Sequence, residues 1–179
     1  ILLFLSIGFA TNVDKRLLVC LIIYFVLQVL YTLWLKNVVL VDVFLIAAGF
    51  VLRVYAGAVA ANVDASTWML VCTFSVALLL ALCKRYCELN LLGDKAPAHR
   101  RVLAEYSKDL LVALIAAISS LSVVCYSIYT LSPSTIEKLG TKQMFITIPL
   151  VAFGIFRYVY LTLCKGEGGR PEKTLTQDI

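Results

Sequence analysis

Residues 66–89 read STWMLVCTFSVALLLALCKRYCEL, and on this stretch the fold turns. From Ser66 to Cys87 it reads helical throughout, and its apolar part runs from Trp68 to Cys83. Roughly 20 apolar residues are what a ~30 Å hydrocarbon layer requires of a helix. Lys84, Arg85 and Glu88 then close the run, placing charge where the hydrocarbon would end. Four more runs reach that length: Leu17 to Leu35, Val38 to Ala61, Leu110 to Leu131 and Phe145 to Cys164. The expected fold class is all-α, a polytopic transmembrane helical bundle with five complete spans.

Composition agrees. The 179 residues are 61% hydrophobic with a mean hydropathy of +0.93, whereas soluble domains are about 45–50% apolar. A soluble enzyme is excluded, and no nucleic-acid partner is expected. Ile1 to Phe9 forms a sixth apolar run, too short to span, without the charged start of a signal peptide. We expect it to be a partial helix, the chain 1–179 being a single transmembrane domain and an internal fragment of a longer protein. The polar tail Gly166 to Ile179 fits that expectation.

The formal charge of +5 is placed unevenly. If the spans alternate, one side holds Lys36, Lys84, Arg85, Lys95, Arg100, Arg101, Lys108, Lys165, Arg170 and Lys173. The other holds Lys15, Arg16, Lys138 and Lys142. Lys/Arg excess marks cytoplasmic loops, so the 84–108 segment and the tail are expected to face the cytoplasm, in a multi-pass protein of the inner membrane. Six cysteines lie almost wholly in apolar runs without a CxxC pair. They read as small buried hydrophobes, Cys83 and Cys87 included.

Ionisable groups inside spans are costly and usually face the bundle interior. Arg53 and Arg157 are such groups. Asp42 lies eleven residues before Arg53, close to three full helical turns, which puts both on one face about 16 Å apart. Gly49 and Gly57 flank Arg53 and would let a neighbouring helix approach. For both arginines a structural role, bonded to helix-end carbonyls or a carboxylate, stays open beside a substrate-facing one. Lys36, after Tyr31 and Trp34, could equally be a snorkelling lysine behind an aromatic belt.

In the 84–108 segment, Lys84/Glu88 and Arg101/Glu105 stand at i, i+4 and can pair on a helix surface. Gly93 and Pro97 break the segment, and Arg100 and Arg101 resume in a pattern suited to a short helix over the bundle mouth. Several Lys/Arg donors together suit a phosphate or diphosphate.

Four segments together resemble the UbiA superfamily of membrane transferases: LWLKNVVLVDVFLIAAGFVLRVYAGA (33–58), LCKRYCELNLLGDKAPAHRRVLAEYS (82–107), GIFRYVYL (154–161) and GGRPEKTLTQD (168–178). The similarity is closest to its decaprenyl-phosphate phosphoribosyltransferase branch. The resemblance implies nine helices around a cavity open to the cytoplasm, of which this chain would supply the end of the third through the eighth. The superfamily's first Asp-rich motif, N-D-x-x-D-x-x-x-D, would lie upstream of Ile1 and hold Mg²⁺. The place of the second is taken by Lys84-Arg85-Tyr86-Cys87-Glu88, where Glu88 alone keeps a carboxylate. The Tyr-x-x-x-Lys feature would fall on Tyr31 to Lys36, which has one residue more between the two.

The activity so implied moves 5-phosphoribose from phosphoribosyl diphosphate to a polyprenyl (decaprenyl) phosphate, for a lipid-linked pentose donor in cell-envelope polysaccharide synthesis. Glu88 and Lys36 would be catalytic. Lys84, Arg85, Arg100, Arg101, Tyr106, Arg157, Tyr31, Asp42 and Arg53 would bind substrate, with Lys84, Arg85 and Arg101 as the donor-phosphate subsite. Partners are the membrane and the two phosphorylated substrates, and assembly of several copies stays open. An aromatic prenyltransferase of the same superfamily is the nearest alternative, weakened by the lost acids. A transporter of an anionic solute is a second, although paired repeats and broken helices are not seen.

Overall fold

The computed structural model describes residues 15–92 and 101–166, with Arg101 and Ala104 described in the backbone alone. Ile1 to Phe9, Arg100 and the tail segment 168–178 lie outside the described residues. Six α-helices follow one another: α1 Lys15–Leu33, α2 Val41–Ala60, α3 Thr67–Leu92, α4 Lys108–Leu131, α5 Pro133–Leu139 and α6 Ile148–Lys165. All except α5 are long and apolar enough to cross a membrane, α6 together with the turn before it. At about 1.5 Å per residue they measure roughly 27–39 Å, matching the hydrocarbon layer. The described chain is thus an all-α, five-span bundle.

Local chemistry sets the helix ends. The Ser107 hydroxyl accepts the Leu110 N–H at 3.1 Å and caps α4, with Asp109 in its first turn. Pro133 opens α5, where its missing N–H is no loss. Gly140 and Gly166 close α5 and α6 with φ of 66° and 71°, which a side chain disfavours. α3 is the surprise. The helical reading of this stretch stops at Cys87, yet the helix continues to Leu92, so Glu88 stands on it together with Lys84 and Arg85. Arg101–Ala104 forms a 3₁₀ turn, close to the short helix expected there.

The long helices pack in chain order, α1 on α2, α2 on α3, α3 on α4, and α4 on α6, with α6 also reaching α3. Short connectors between packed neighbours make the helices alternate in direction. Lys36, Lys84, Arg85, Arg101, Lys108 and Lys165 consequently share one end, the basic end. Lys15, Lys138 and Lys142 share the other, where Lys138 Nζ donates to the Asp64 carbonyl at 2.8 Å.

α3 and α4 form the centre. Val43, Ala47, Leu79, Leu82, Leu111 and Ile115 meet there with 0–3% exposure. Hydroxyls in this region bond back to their own helices: Ser75 to the Cys72 carbonyl, Ser119 to Ala116 and Ser122 to Ile118, at 2.8–3.0 Å. In a medium without water such bonds remove the cost of a polar group. α1 and α6 flank the centre and expose apolar side chains such as Phe25, Leu30, Leu150 and Phe153. Lipid tails solvate such faces as readily as protein does.

Ala47 is fully buried in this core. Ala47→Leu forces extra volume into it and is expected to destabilise by about 1–3 kcal/mol. Thermal unfolding in detergent checks this, with Phe153→Leu on the exposed face of α6 expected to leave the midpoint unchanged.

Candidate functional site

Three segments converge at the basic end: the connector between α1 and α2, the last turns of α3, and the stretch leading into α4. The connector makes a 3₁₀ turn at Leu35–Asn37 and then turns sharply at Leu40. Leu40 has φ 65° and ψ −39°, and the Val41 N–H reaches back to the Val39 carbonyl at 2.8 Å. This is a γ-turn of the rare positive-φ kind, with a leucine where the backbone favours glycine. Such strain persists only where surroundings over-determine it. Here the Tyr106 hydroxyl accepts the Leu40 N–H at 2.8 Å.

Tyr106 is buried, and its hydroxyl also donates to Asp42 Oδ1 at 2.8 Å. Burial first, and that hydrogen bond second, push its pKa well above the ordinary phenol range. The hydroxyl therefore stays protonated and remains a donor. Asp42 Oδ2 in turn accepts Arg85 Nε at 2.9 Å, with side chains 0% and 2% exposed. Arg85 Nη1 donates to Glu88 Oε2, whose side chain is 29% exposed.

A buried ion pair is stable only when further bonds satisfy its remaining atoms. This one meets that condition. Asp42 has a partner on each oxygen and sits in the first turn of α2, where the helix dipole favours an anion. Arg85 sits near the C-terminal end of α3, where the dipole favours a cation. Two carboxylates on one guanidinium give the group a formal charge of −1. Arg85, expected to contact donor phosphate, is committed to Asp42 and Glu88, and an anion is not drawn to it while both are ionised.

The other expected residues fall into three places. Lys84 is exposed, one turn before Glu88, and the anticipated Lys84–Glu88 pair gives way to Arg85–Glu88 at i, i+3. Tyr31, in the last turn of α1, and Lys36, in the 3₁₀ turn, are half-buried at the same end. Tyr31 lies within electrostatic reach of Arg85. Arg101 enters as backbone, and Arg100 is outside the described residues. Arg157 stands about two turns before the end of α6, half-buried, with its guanidinium 5.4 Å from the Tyr160 ring centre.

Arg53 is elsewhere. It shares a helical face with Asp42, yet the two reach different helices. Asp42 turns to α3, while Arg53 donates Nε to the Tyr24 hydroxyl on α1 at 3.1 Å, with Nη2 on the same oxygen. Gln28 donates to that hydroxyl at 2.7 Å, and the Tyr24 and Phe50 rings lie 5.1 and 5.3 Å from the guanidinium. These partners are a tyrosine hydroxyl and two rings, and not the helix-end carbonyls or carboxylate of the structural reading. Gly49 faces the Tyr24 ring, 3.6 Å from where a Cβ would stand, whereas Gly57 has nothing within 4 Å and no close approach to serve.

Between α1 and α2 a cavity of about 140 Å³ runs past Gln28, Tyr31, Ile46, Gly49 and Arg53. It falls below the ~300–1,000 Å³ of small-molecule pockets. Sequence reasoning missed Leu40. The run Val38-Val39-Leu40-Val41 has no Gly or Asn to announce a positive φ. Among the described residues no cluster of three metal-ligating side chains occurs, and Cys83 and Cys87 are buried, neither of them in a disulfide.

Removing Asp42 leaves Arg85 buried with half its neutralisation. Asp42→Ala is expected to cost about 3–5 kcal/mol, and Glu88→Gln, at the exposed edge, about 1 kcal/mol or less. Unfolding temperatures of the two variants in one detergent check the order.

No family model matches the chain. Three curated proteins, each named decaprenyl-phosphate phosphoribosyltransferase, do. That of Mycolicibacterium smegmatis is 27% identical over 169 residues, 91% of this chain and 53% of the relative. That of Corynebacterium glutamicum is 28% identical over 179 residues, 99% of this chain and 54% of the relative. That of Mycobacterium tuberculosis is 25% identical over 175 residues, 97% of this chain and 56% of the relative. The chain spans about half the length of these relatives. Over nearly all of its own length it is similar to decaprenyl-phosphate phosphoribosyltransferases, as a UbiA-like relative would be.

Proposed function

We propose that this chain belongs to an integral-membrane transferase that moves 5-phosphoribose from phosphoribosyl diphosphate to a polyprenyl phosphate such as decaprenyl phosphate. The product would be a lipid-linked pentose donor for cell-envelope polysaccharide. The observation that carries the reading is the similarity over 91–99% of the chain to proteins of that name. The convergence of cationic and hydrogen-bonding side chains at one bundle end supports it.

The acceptor's isoprenoid tail stays in lipid, and its phosphate meets the donor at the basic end. An acceptor oxygen attacks the anomeric carbon of the ribose, and the C–O bond to diphosphate breaks with diphosphate carrying away the electron pair. The acceptor phosphate is already ionised near neutral pH, so no strong base is needed. The chain's task is positioning and charge neutralisation. Lys84, Lys36, Arg100 and Arg101 take the donor phosphates in this proposal, and Glu88, oriented by Arg85, accepts a ribose hydroxyl. Mg²⁺ belongs to the proposal through the resemblance. Asp42 and Glu88 are taken by Arg85 and do not fit a metal site, so no step is assigned to the ion here.

Full-length protein given labelled phosphoribosyl diphosphate and decaprenyl phosphate is expected to place label in the lipid. Lys84→Gln should raise the donor KM about ten- to hundredfold, the loss of one charge-assisted bond of ~1.5–3 kcal/mol. Absence of labelled lipid, with transfer from a prenyl diphosphate to an aromatic acceptor instead, would sink the proposal.

The basic end is proposed to face the cytoplasm, since it carries the Lys/Arg excess. In a cysteine-free background, an impermeant maleimide on intact cells should label Lys138→Cys and spare Glu105→Cys. The reverse pattern would invert the orientation.

A further inference from the structure

Tyr106, like Asp42 and Arg85 beside it, is nearly enclosed, at 4% exposure. Its hydroxyl is occupied inside the protein: the proton goes to Asp42 and one lone pair takes the Leu40 N–H, each at 2.8 Å. A substrate atom has little room to approach it. Yet this one oxygen joins all three segments of the site. Through Leu40 it holds the connector that carries Lys36. Through its own backbone it holds the stretch that carries Arg101, where Val102 and Leu103 are also buried at 0% and 1% exposure. Through Asp42 it meets Arg85 on α3. The connector's 3₁₀ turn also touches the Arg101–Ala104 turn directly.

The second observation is the turn at Leu40. A leucine at φ 65° would relax to negative φ if released, and the register of the connector ahead of α2 would change with it. The tyrosine hydroxyl is the side-chain partner of that amide.

We propose that Tyr106 is a positioning residue of this site: its hydroxyl locks the strained turn at Leu40 and so fixes the spacing of Lys36 and Arg101 about the Asp42–Arg85 pair, without touching substrate. The proposal rests on the phosphoribosyl-transfer reading for its kinetic half and on geometry alone for the rest. It explains why a leucine is held where glycine would cost less: the turn is set by a contact from a distant segment and not by its own preference. Phosphates spread along a donor reward fixed distances between the cations that hold them, because a misplacement of an ångström is costly in rate.

The test compares Tyr106→Phe, Leu40→Gly and the double variant in the full-length protein. In Tyr106→Phe, amide hydrogen exchange over residues 35–42 and 101–107 should accelerate about tenfold or more, the loss of one hydrogen bond, while residues 70–82 of α3 keep the parent rate. The KM for phosphoribosyl diphosphate should rise about tenfold with kcat nearly unchanged and the KM for decaprenyl phosphate unaltered. Leu40→Gly added to Tyr106→Phe should recover part of the donor KM, because glycine adopts the turn without being held. Unchanged exchange over 35–42, equal acceleration throughout the protein, or a fall in kcat at constant KM would overturn the proposal. Should Tyr106→Phe fail to accumulate in the membrane, accumulation of the double variant would place the defect at the turn. Failure of both would make Tyr106 a core residue of the fold and overturn the assignment. If the parent itself transfers no phosphoribose, the reading of function fails while the exchange measurement still decides the positioning role.

Discussion

A guanidinium buried to 2% exposure at the edge of a hydrocarbon layer is the constraint on which this site depends. Arg85 cannot shed its charge in a protein, so the fold must bring anions and hydrogen bonds to it. Asp42 arrives from the first turn of α2, Glu88 from the next turn of α3, and Tyr106 completes Asp42. Meeting those demands aligns the start of α2 with the end of α3 and draws the stretch before α4 down onto both. In the hydrocarbon, apolar packing alone sets such registers weakly, since lipid competes on equal terms. A buried pair specifies them, because any shift leaves charge without a partner.

The membrane spans were legible because hydropathy over some 20 residues integrates many weak signals. The end of α3 was legible only as far as Cys87, because beyond the apolar run, which stops at Cys83, hydropathy no longer marks a helix that runs on to Leu92. Charge ends a hydrophobic run without ending a helix. Lys84 and Arg85, adjacent in sequence, differ by about 100° around the axis, and one is exposed while the other is buried. A composition-based reading of KRYCEL treats them alike.

The site was legible as residue types and less so as partnerships. Asp42, Arg85, Glu88 and Tyr106 were all singled out, but pairing across 43 or 64 positions leaves no local trace. Asp42 and Arg53 obey the same helical period, and what separates them is which helix lies opposite each. Leu40 had no signal, for the partner of its N–H is a hydroxyl 66 positions away.

The arrangement divides two tasks that a single cationic patch would confuse. A surface of free arginines beside a bilayer would bind any lipid phosphate, and its geometry would change with occupancy. Here the arginine nearest the core is held by two carboxylates, as a strut between α2 and α3. Lys84, more strongly hydrated and exposed, is left as a point charge that can adapt to a ligand. A strut tied inside the protein is what a positioning mechanism asks of its scaffold. Under the proposed function, specificity for a molecule with phosphates at two places would reside in the spacing between cations borne by separate segments, a quantity that the buried ion pair and the tyrosine hydroxyl would hold constant.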